Sequence, residues 1–157
     1  MTGIRLTVAL VGLGLVLLPA TASADPTDEA PAQTRLDPDF AAGKAALEAR
    51  NWNVAIRSFS SAALRDTRNA DIQNYLGYAY RHTDQMDLAF KHYGRALELD
   101  PRHRGAHEYL GEAYLIVNNL AKAEEHLAAL QRICLIPCKE QEDLQKAIVE
   151  HRRRTGR

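Results

Sequence analysis

Between residues 36 and 137 the apolar and small positions of the chain recur with a period of 34 residues. Gly43, Gly77 and Gly111 share one phase; Ala45, Ala79 and Ala113 share another, and Ala55, Ala89 and Ala123 a third. Larger residues keep step: Tyr75 with Tyr109, Leu76 with Leu110, Tyr80 with Tyr114, His92 with His126. Trp52, Met86 and Leu120 fall on one position, Phe59, Tyr93 and Leu127 on another, and Ala62, Ala96 and Leu130 on a third. A period of this length implies stacked units, each too small to bury an apolar face alone.

The middle copy, 70–103, shows what one unit is. Ile72, Leu76, Ala79 and Tyr80 fall at helical spacing and predict a first helix over roughly Ala70 to His82. Thr83, Asp84 and Gln85 are polar and predict a short turn. Met86, Ala89, Phe90, Tyr93, Ala96 and Leu97 form the stripe of a second helix. Asp100-Pro101 ends it, because proline disfavours the helical conformation in the residue before it. Gly77 and Ala89 fall where the two helices cross, so that their backbones can approach closely.

These residues resemble the tetratricopeptide repeat. The middle copy carries Leu76, Gly77, Tyr80, Ala89, Tyr93, Ala96 and Pro101 at that family's offsets, and the third copy carries Leu110, Gly111, Tyr114, Ala123, Leu127 and Leu130. The first keeps Gly43, Ala55, Phe59 and Ala62, but has Ala42, Ala46 and Thr67 where the pattern has leucine, tyrosine and proline. The family's early tryptophan is missing, with Gln73 and His107 in its place. Terminal repeats are expected to be atypical. The resemblance implies an all-α, right-handed superhelical α-solenoid of three helix-turn-helix repeats, at 36–69, 70–103 and 104–137. Leu144, Ala147 and Ile148 lie at helical spacing within 138–152 and predict a capping helix that closes the open end of the stack.

The ends of the chain add a destination. Residues 1–24 have the layout of a secretory signal: Arg5 near the start, an apolar run from Leu6 to Leu18, Pro19, then Ala22-Ser23-Ala24 for cleavage after Ala24. An uncleaved anchor is the competing reading, but the run is shorter than the roughly 20 residues that a spanning helix needs. No cysteine stands at the cleavage site to carry a lipid. The chain is therefore expected in the periplasm or secreted, without a stable membrane anchor after cleavage. Residues 25–35 read as an acidic, proline-rich leader; from Asp25 to Asp39 the charges are Asp25, Asp28, Glu29, Asp37 and Asp39 against Arg35.

Charge excludes more than it suggests. The whole chain has 20 basic and 20 acidic residues, and loss of Arg5 with the signal leaves 19 against 20. Such a balance gives no reason to expect nucleic acid as a partner. The tail at 153–157, with Arg152 before it, is basic; it reads either as a small phosphate or lipid contact or as a helix end whose dipole favours cations.

The resemblance implies a groove lined by the first helix of each pair, where members of the family bind peptides or partner domains. Its positions are Phe40, Lys44, Leu47 and Glu48, then Asn74, Tyr78, Arg81 and His82, then Glu108, Glu112, Leu115 and Ile116. Lys44, Asn74 and Arg81 are of the types that some members use to grip a C-terminal carboxylate, but their phase is wrong for that clamp. Each of these residues has solvated surface as its competing reading.

Other chemistry is sparse. His103 and His107 are spaced to share a metal, but zinc takes three or four ligands and only the adjacent Glu108 stands near in sequence, so chance spacing is the preferred reading. His92 and His126 are expected to point outward from their second helices. No phosphate loop, nucleophile elbow or zincin motif appears, so no enzyme activity, metal or cofactor is expected. Cys134 and Cys138, the only cysteines, flank Leu135-Ile136-Pro137 between the third copy and the cap. In an oxidising compartment they are expected to form a disulfide that pins the cap; a redox-active pair or a soft-metal site is the alternative. Two functions from different classes follow. One is an envelope scaffold that binds a protein or peptide in its groove. The other is an accessory factor for thiol-redox or metal handling through Cys134 and Cys138.

Overall fold

The computed structural model describes residues 37–156, so the signal at 1–24 and the leader at 25–35 lie outside the described residues. Among the described residues there are seven α-helices and no strand. They are α1 Pro38–Glu48, α2 Trp52–Arg65, α3 Ala70–Arg81, α4 Met86–Leu99, α5 Arg104–Ile116, α6 Leu120–Ile133 and α7 Lys139–Thr155. The chain is an all-α solenoid of three helix-turn-helix repeats with α7 packed on α5 and α6.

The repeat is also written into the backbone. Within each pair the turn is closed by an N–H bonded back to a carbonyl five residues earlier: Asn51 to Ala46, Gln85 to Tyr80 and Asn119 to Tyr114, at 2.8–3.0 Å. A second bond in each turn joins Arg50 to Leu47, Asp84 to Arg81 and Asn118 to Leu115. This is the Schellman arrangement, which places one residue in the left-handed region. Those residues are Arg50, Asp84 and Asn118, with φ of 54°, 58° and 59°. Asn51 and Asn119 then cap the second helices, their Oδ1 atoms accepting from the N–H groups of Val54 and Lys122. Gln85 makes no such cap bond; its Nε2 donates to the Thr83 hydroxyl instead.

The core runs the length of the stack along the predicted stripes. Ala55, Ala79, Ala89, Ala113 and Ala123 are wholly buried where helices cross. Phe59 and Tyr93, equally buried, lie across Gly43 and Gly77. At Gly111 the nearest side chain is Leu144 of α7, not Leu127. The cap therefore supplies the third copy with the apolar contact that an aromatic on the second helix supplies in the first two. Leu144 and Ile148 are buried with Leu115, Ala123 and Leu130. His151 is buried beside them and its Nε2 donates to Asn118 Oδ1 at 3.1 Å.

The ends of the described residues add detail. Asp37 and Asp39, at the acidic end of the 25–39 stretch, belong to the first repeat. Asp37 caps α1, its Oδ1 accepting from the N–H groups of Asp39 and Phe40, and Pro38 opens the helix. Arg65 bonds both aspartates, and that hydrogen bond holds the Asp37 carboxyl well below the usual carboxylate range. The cap helix does not stop at Arg152 but runs to Thr155, where Gly156 at φ 69° ends it. Arg152, Arg153 and Arg154 thus form its last turn, where cations suit the helix dipole, and they pair with Glu124 and Glu150.

Candidate functional site

The first helices and the cap line one side of the stack, and the residues expected there divide into three groups. Phe40 is a core residue: it is buried against Phe59 and Tyr75, with ring centroids 5.7 and 6.0 Å away. Leu115 is buried between the third copy and the cap, and Leu47 packs on the first core cluster. For these three apolar residues the turn of the helix leads inward; Phe40 is a core residue and not a groove position, whereas Leu115 also lines the cleft beside Glu112. Glu48 and Ile116 are exposed, Ile116 by 59%. Lys44, Tyr78, Arg81, His82 and Glu112 form the groove.

Its floor is aromatic and charged. Tyr78 on α3 and Tyr109 on α5 meet with centroids 4.8 Å apart. Arg81 lies over both rings, its Cζ 5.2 Å from the Tyr78 centroid and 5.7 Å from that of Tyr109. Its Nη1 reaches Glu112 Oε2 at 2.8 Å, and the side chain is only 10% exposed. Burial works against this guanidinium, but Tyr93 and Glu112 outweigh it and raise its pKa. At the first-repeat side Trp52 stacks on His82 at 4.2 Å and meets Tyr78 edge-on. Burial, then Arg81 and Arg50, lower the His82 pKa. Lys44 donates to the Tyr75 hydroxyl at 3.0 Å.

Asn74 and Glu108 are placed one repeat apart on α3 and α5, and both are buried rather than presented to solvent. Asn74 Oδ1 has no hydrogen-bond donor. Burial, with Glu112, Asp143 and Glu140 nearby, raises the Glu108 carboxyl to about 8. Beyond Arg81 and Glu112 the groove opens into a cleft of about 690 Å³ between α3, α5 and α7, walled by Ile116, Ala147, Glu150 and Arg154.

Trp52, Tyr109 and the α7 residues were not among the expected groove positions. Tyr109 repeats Tyr75, which was a signal in the sequence. Trp52 shares its phase with Met86 and Leu120, which hid it among core positions. The α7 residues become visible only once that helix is seen to continue the row of first helices.

The histidines are placed otherwise than expected. His92 does not point outward: it stacks on Tyr80 and its Nδ1 meets Gln73 Oε1 at 2.8 Å. His126 stacks likewise on Tyr114, and its Nδ1 meets His107 Nδ1 at 2.9 Å. His107 Nε2 must donate to the Pro101 carbonyl, so in the neutral pair His126 donates to His107. Burial and then His107 lower the His126 pKa to about 4. His103 caps α5 through Nδ1 and bonds Asp71 through Nε2, so it shares nothing with His107. Among the described residues no three His, Cys, Asp or Glu side chains converge on a metal position. Cys134 ends α6 where Asp66 and Asp100 end the earlier second helices, and Cys138 starts α7. Their Cα atoms are 5.9 Å apart and their sulfurs face each other. Between them Leu135 and Ile136 project into solvent.

A family model described as tetratricopeptide repeat matches residues 40–101 and 87–134. No curated protein sequence matches the chain. Among solved structures, the chain is similar to the type III secretion translocator chaperone SycD of Yersinia enterocolitica. The TM-score is 0.69 at 17% identity, over 81% of this chain and 90% of that one. For the TPR2B domain of yeast Sti1 in complex with pHsp70 the TM-score is 0.66 at 18% identity, over 78% and 95%. For the Arabidopsis OM64 TPR domain it is 0.64 at 18% identity, over 71% and 91%. At these identities the likeness is one of fold.

Proposed function

The chain belongs to the tetratricopeptide repeat family, and on that premise we propose that it is a non-enzymatic interaction scaffold of the cell envelope that holds a peptide or partner protein in its groove. The observation that carries this reading is the floor formed by Tyr78, Tyr109 and the Arg81–Glu112 pair beside an open cleft. Rigid aromatic rings and an arginine are the residue types that concentrate binding energy at protein interfaces. The structures of similar fold include SycD with a peptide of the translocator YopD and the first TPR of RPAP3 with the HSP90 peptide SRMEEVD. Placement in the envelope rests on the signal pattern of residues 1–24, and the same compartment favours a disulfide between Cys134 and Cys138.

The test is affinity capture from the envelope fraction of the source with three baits. Wild type is compared with a groove variant, Tyr78→Ala plus His82→Ala, and with a control variant on the second helix of the first repeat, Leu64→Ala, where the leucine is exposed. Circular dichroism checks that all three are folded. Partners held by wild type and Leu64→Ala but lost by the groove variant are the expected result. The same partners on all three baits sink the groove reading.

A further inference from the structure

We propose that the groove carries a pocket for a cationic side chain of its partner, an arginine or a lysine, with Glu108 and Asn74 as its acceptors. The proposal rests on the groove reading and names the chemistry of what enters it.

The groove already seats one guanidinium. Arg81 lies between the rings of Tyr78 and Tyr109 and against the carboxylate of Glu112. Glu108 stands one turn earlier on the same helix and has no such counterpart. It is 8% exposed, yet makes no hydrogen bond or ion pair with any described residue. One turn before Arg81 on α3 is Gly77, which has no side chain to offer. Glu112, Glu140 and Asp143 are the acidic groups around Glu108, and Lys139 is the basic one, itself already bonded to Asp143.

A second orphan points to the same missing partner. Asn74 is 3% exposed, and its Oδ1 accepts from no donor. The side chain crosses to the first turn of α5, where its Nδ2 is 3.1 Å from the place of a β-carbon on Gly105. Asn74 Oδ1, which is buried, and the Glu108 carboxyl, which stands among carboxylates on α5, lack a donor that carries positive charge. A guanidinium spreads five N–H groups over a plane and an ammonium offers three, so either satisfies acceptors on two helices. A bare metal ion fits less well, because no three acidic or imidazole groups converge among the described residues. The Glu108 proton, held to about pH 8 by burial and then by the surrounding acids, is what an entering cation displaces.

The probe is Nα-acetyl-arginine methylamide, with the norleucine analogue as the neutral control. The side-chain carboxyl signals of glutamate are followed by NMR in the full mature chain. A saturable shift at Glu108 with the arginine probe, a fall in its titration midpoint and silence with norleucine are expected. In Glu108→Gln, where binding is read at the side-chain amide of Asn74, the affinity for the arginine probe should weaken about tenfold or more, the worth of one hydrogen bond to a charged group. No saturable shift up to the solubility of the probe overturns the proposal. So does an equal shift with norleucine, an unchanged affinity in Glu108→Gln, or saturation by calcium ions alone. Capture that depends on the groove together with a silent Glu108 removes only the cation pocket. Capture indifferent to Tyr78→Ala plus His82→Ala removes the groove reading, whatever the probe does.

Discussion

Gly77 lies so close under the ring of Tyr93 that a β-carbon at position 77 would stand 2.6 Å from Cδ1 and 2.7 Å from Cε1. The ring is wholly buried and has nowhere to retreat. Gly77→Ala should therefore cost about 1–3 kcal/mol through overpacking. Gly111→Ala should cost a similar amount, because the Leu144 methyls that a β-carbon there would meet are equally buried. Gly94, inside α4 with nothing near, should gain about 0.5–1 kcal/mol as alanine through helix propensity alone. Urea unfolding of the three variants checks the order. A stabilised Gly77→Ala would show that the crossing is looser than described here.

Arg50, Asp84 and Asn118 occupy the same left-handed position in three turns, but they do not suffer equally. Asparagine and aspartate tolerate this region better than a long side chain does. Arg50→Gly should raise stability by about 1 kcal/mol, glycine being the favoured residue after a helix end. Asn118→Gly should gain nothing, because it removes the acceptor of His151 Nε2. Melting temperatures of the two variants give the comparison; a rise for both, or for Asn118→Gly alone, contradicts it.

The fold was legible in the sequence because glycine, alanine and the aromatics that cross them repeat as chemical types. The left-handed turn was not legible, since Arg50, Asp84 and Asn118 share a backbone conformation and no chemistry. The groove was legible only in part. Whether a first-helix residue faces inward or outward depends on the rotation between neighbouring helices, and this turns Phe40 and Leu115 into the core while leaving Tyr78 at the surface. The role of α7 was hidden for the same reason. Its period matches a cap, and only packing reveals that Leu144 stands in for an aromatic of the third repeat.

The His107–His126 pair makes the third repeat sensitive to acid. His126 titrates at about 4 when folded against an ordinary 6.5, and the His107 pKa is lowered too, chiefly by burial. The folded state binds fewer protons in that window. The pair's contribution is therefore complete above pH 6.5 and is lost as pH falls toward 4. The charged and titratable groups around it are Lys122 and Glu125 beside His126, and Asp100, His103 and Arg132 beside His107. His107→Gln reproduces the Gln73–His92 arrangement of the middle repeat. It should cost about 1 kcal/mol at pH 7, for the lost bond to Pro101. It should lose less stability than wild type between pH 7 and 5. Equal acid losses in urea titrations at the two pH values would remove the pair from the account.

Glu108 predicts the opposite slope at higher pH. Its carboxyl holds a proton to about pH 8 in the folded chain and to about 4.5 in the unfolded one. The unfolded state binds fewer protons between these values, so stability falls as pH rises from 4.5 to 8 and is level beyond. Glu108→Gln removes that fall. The variant should match wild type near pH 4.5 and exceed it at pH 8.5 by on the order of 1–3 kcal/mol, allowing for solvent screening. A wild type that is as stable at pH 8.5 relative to the variant as at pH 4.5 contradicts the burial of this group.

Cys134 and Cys138 close a turn too short for a large entropic effect. For a loop of this length the chain-entropy account gives about 2 kcal/mol at most. A disulfide here therefore acts on geometry: it ties the end of α6 to the start of α7, whose first backbone bond runs from the Glu142 N–H to the Cys138 carbonyl. Cys134→Ser plus Cys138→Ser should lower stability by no more than about 2 kcal/mol. Hydrogen exchange should quicken in the 134–142 segment and stay unchanged around Leu144, which is held by its own burial. Thiol titration of the unfolded, unreduced protein decides whether the bond exists. No free thiol is the expected count. Two free thiols, or copper or zinc copurifying in equal amount, would return the pair to thiol or metal handling.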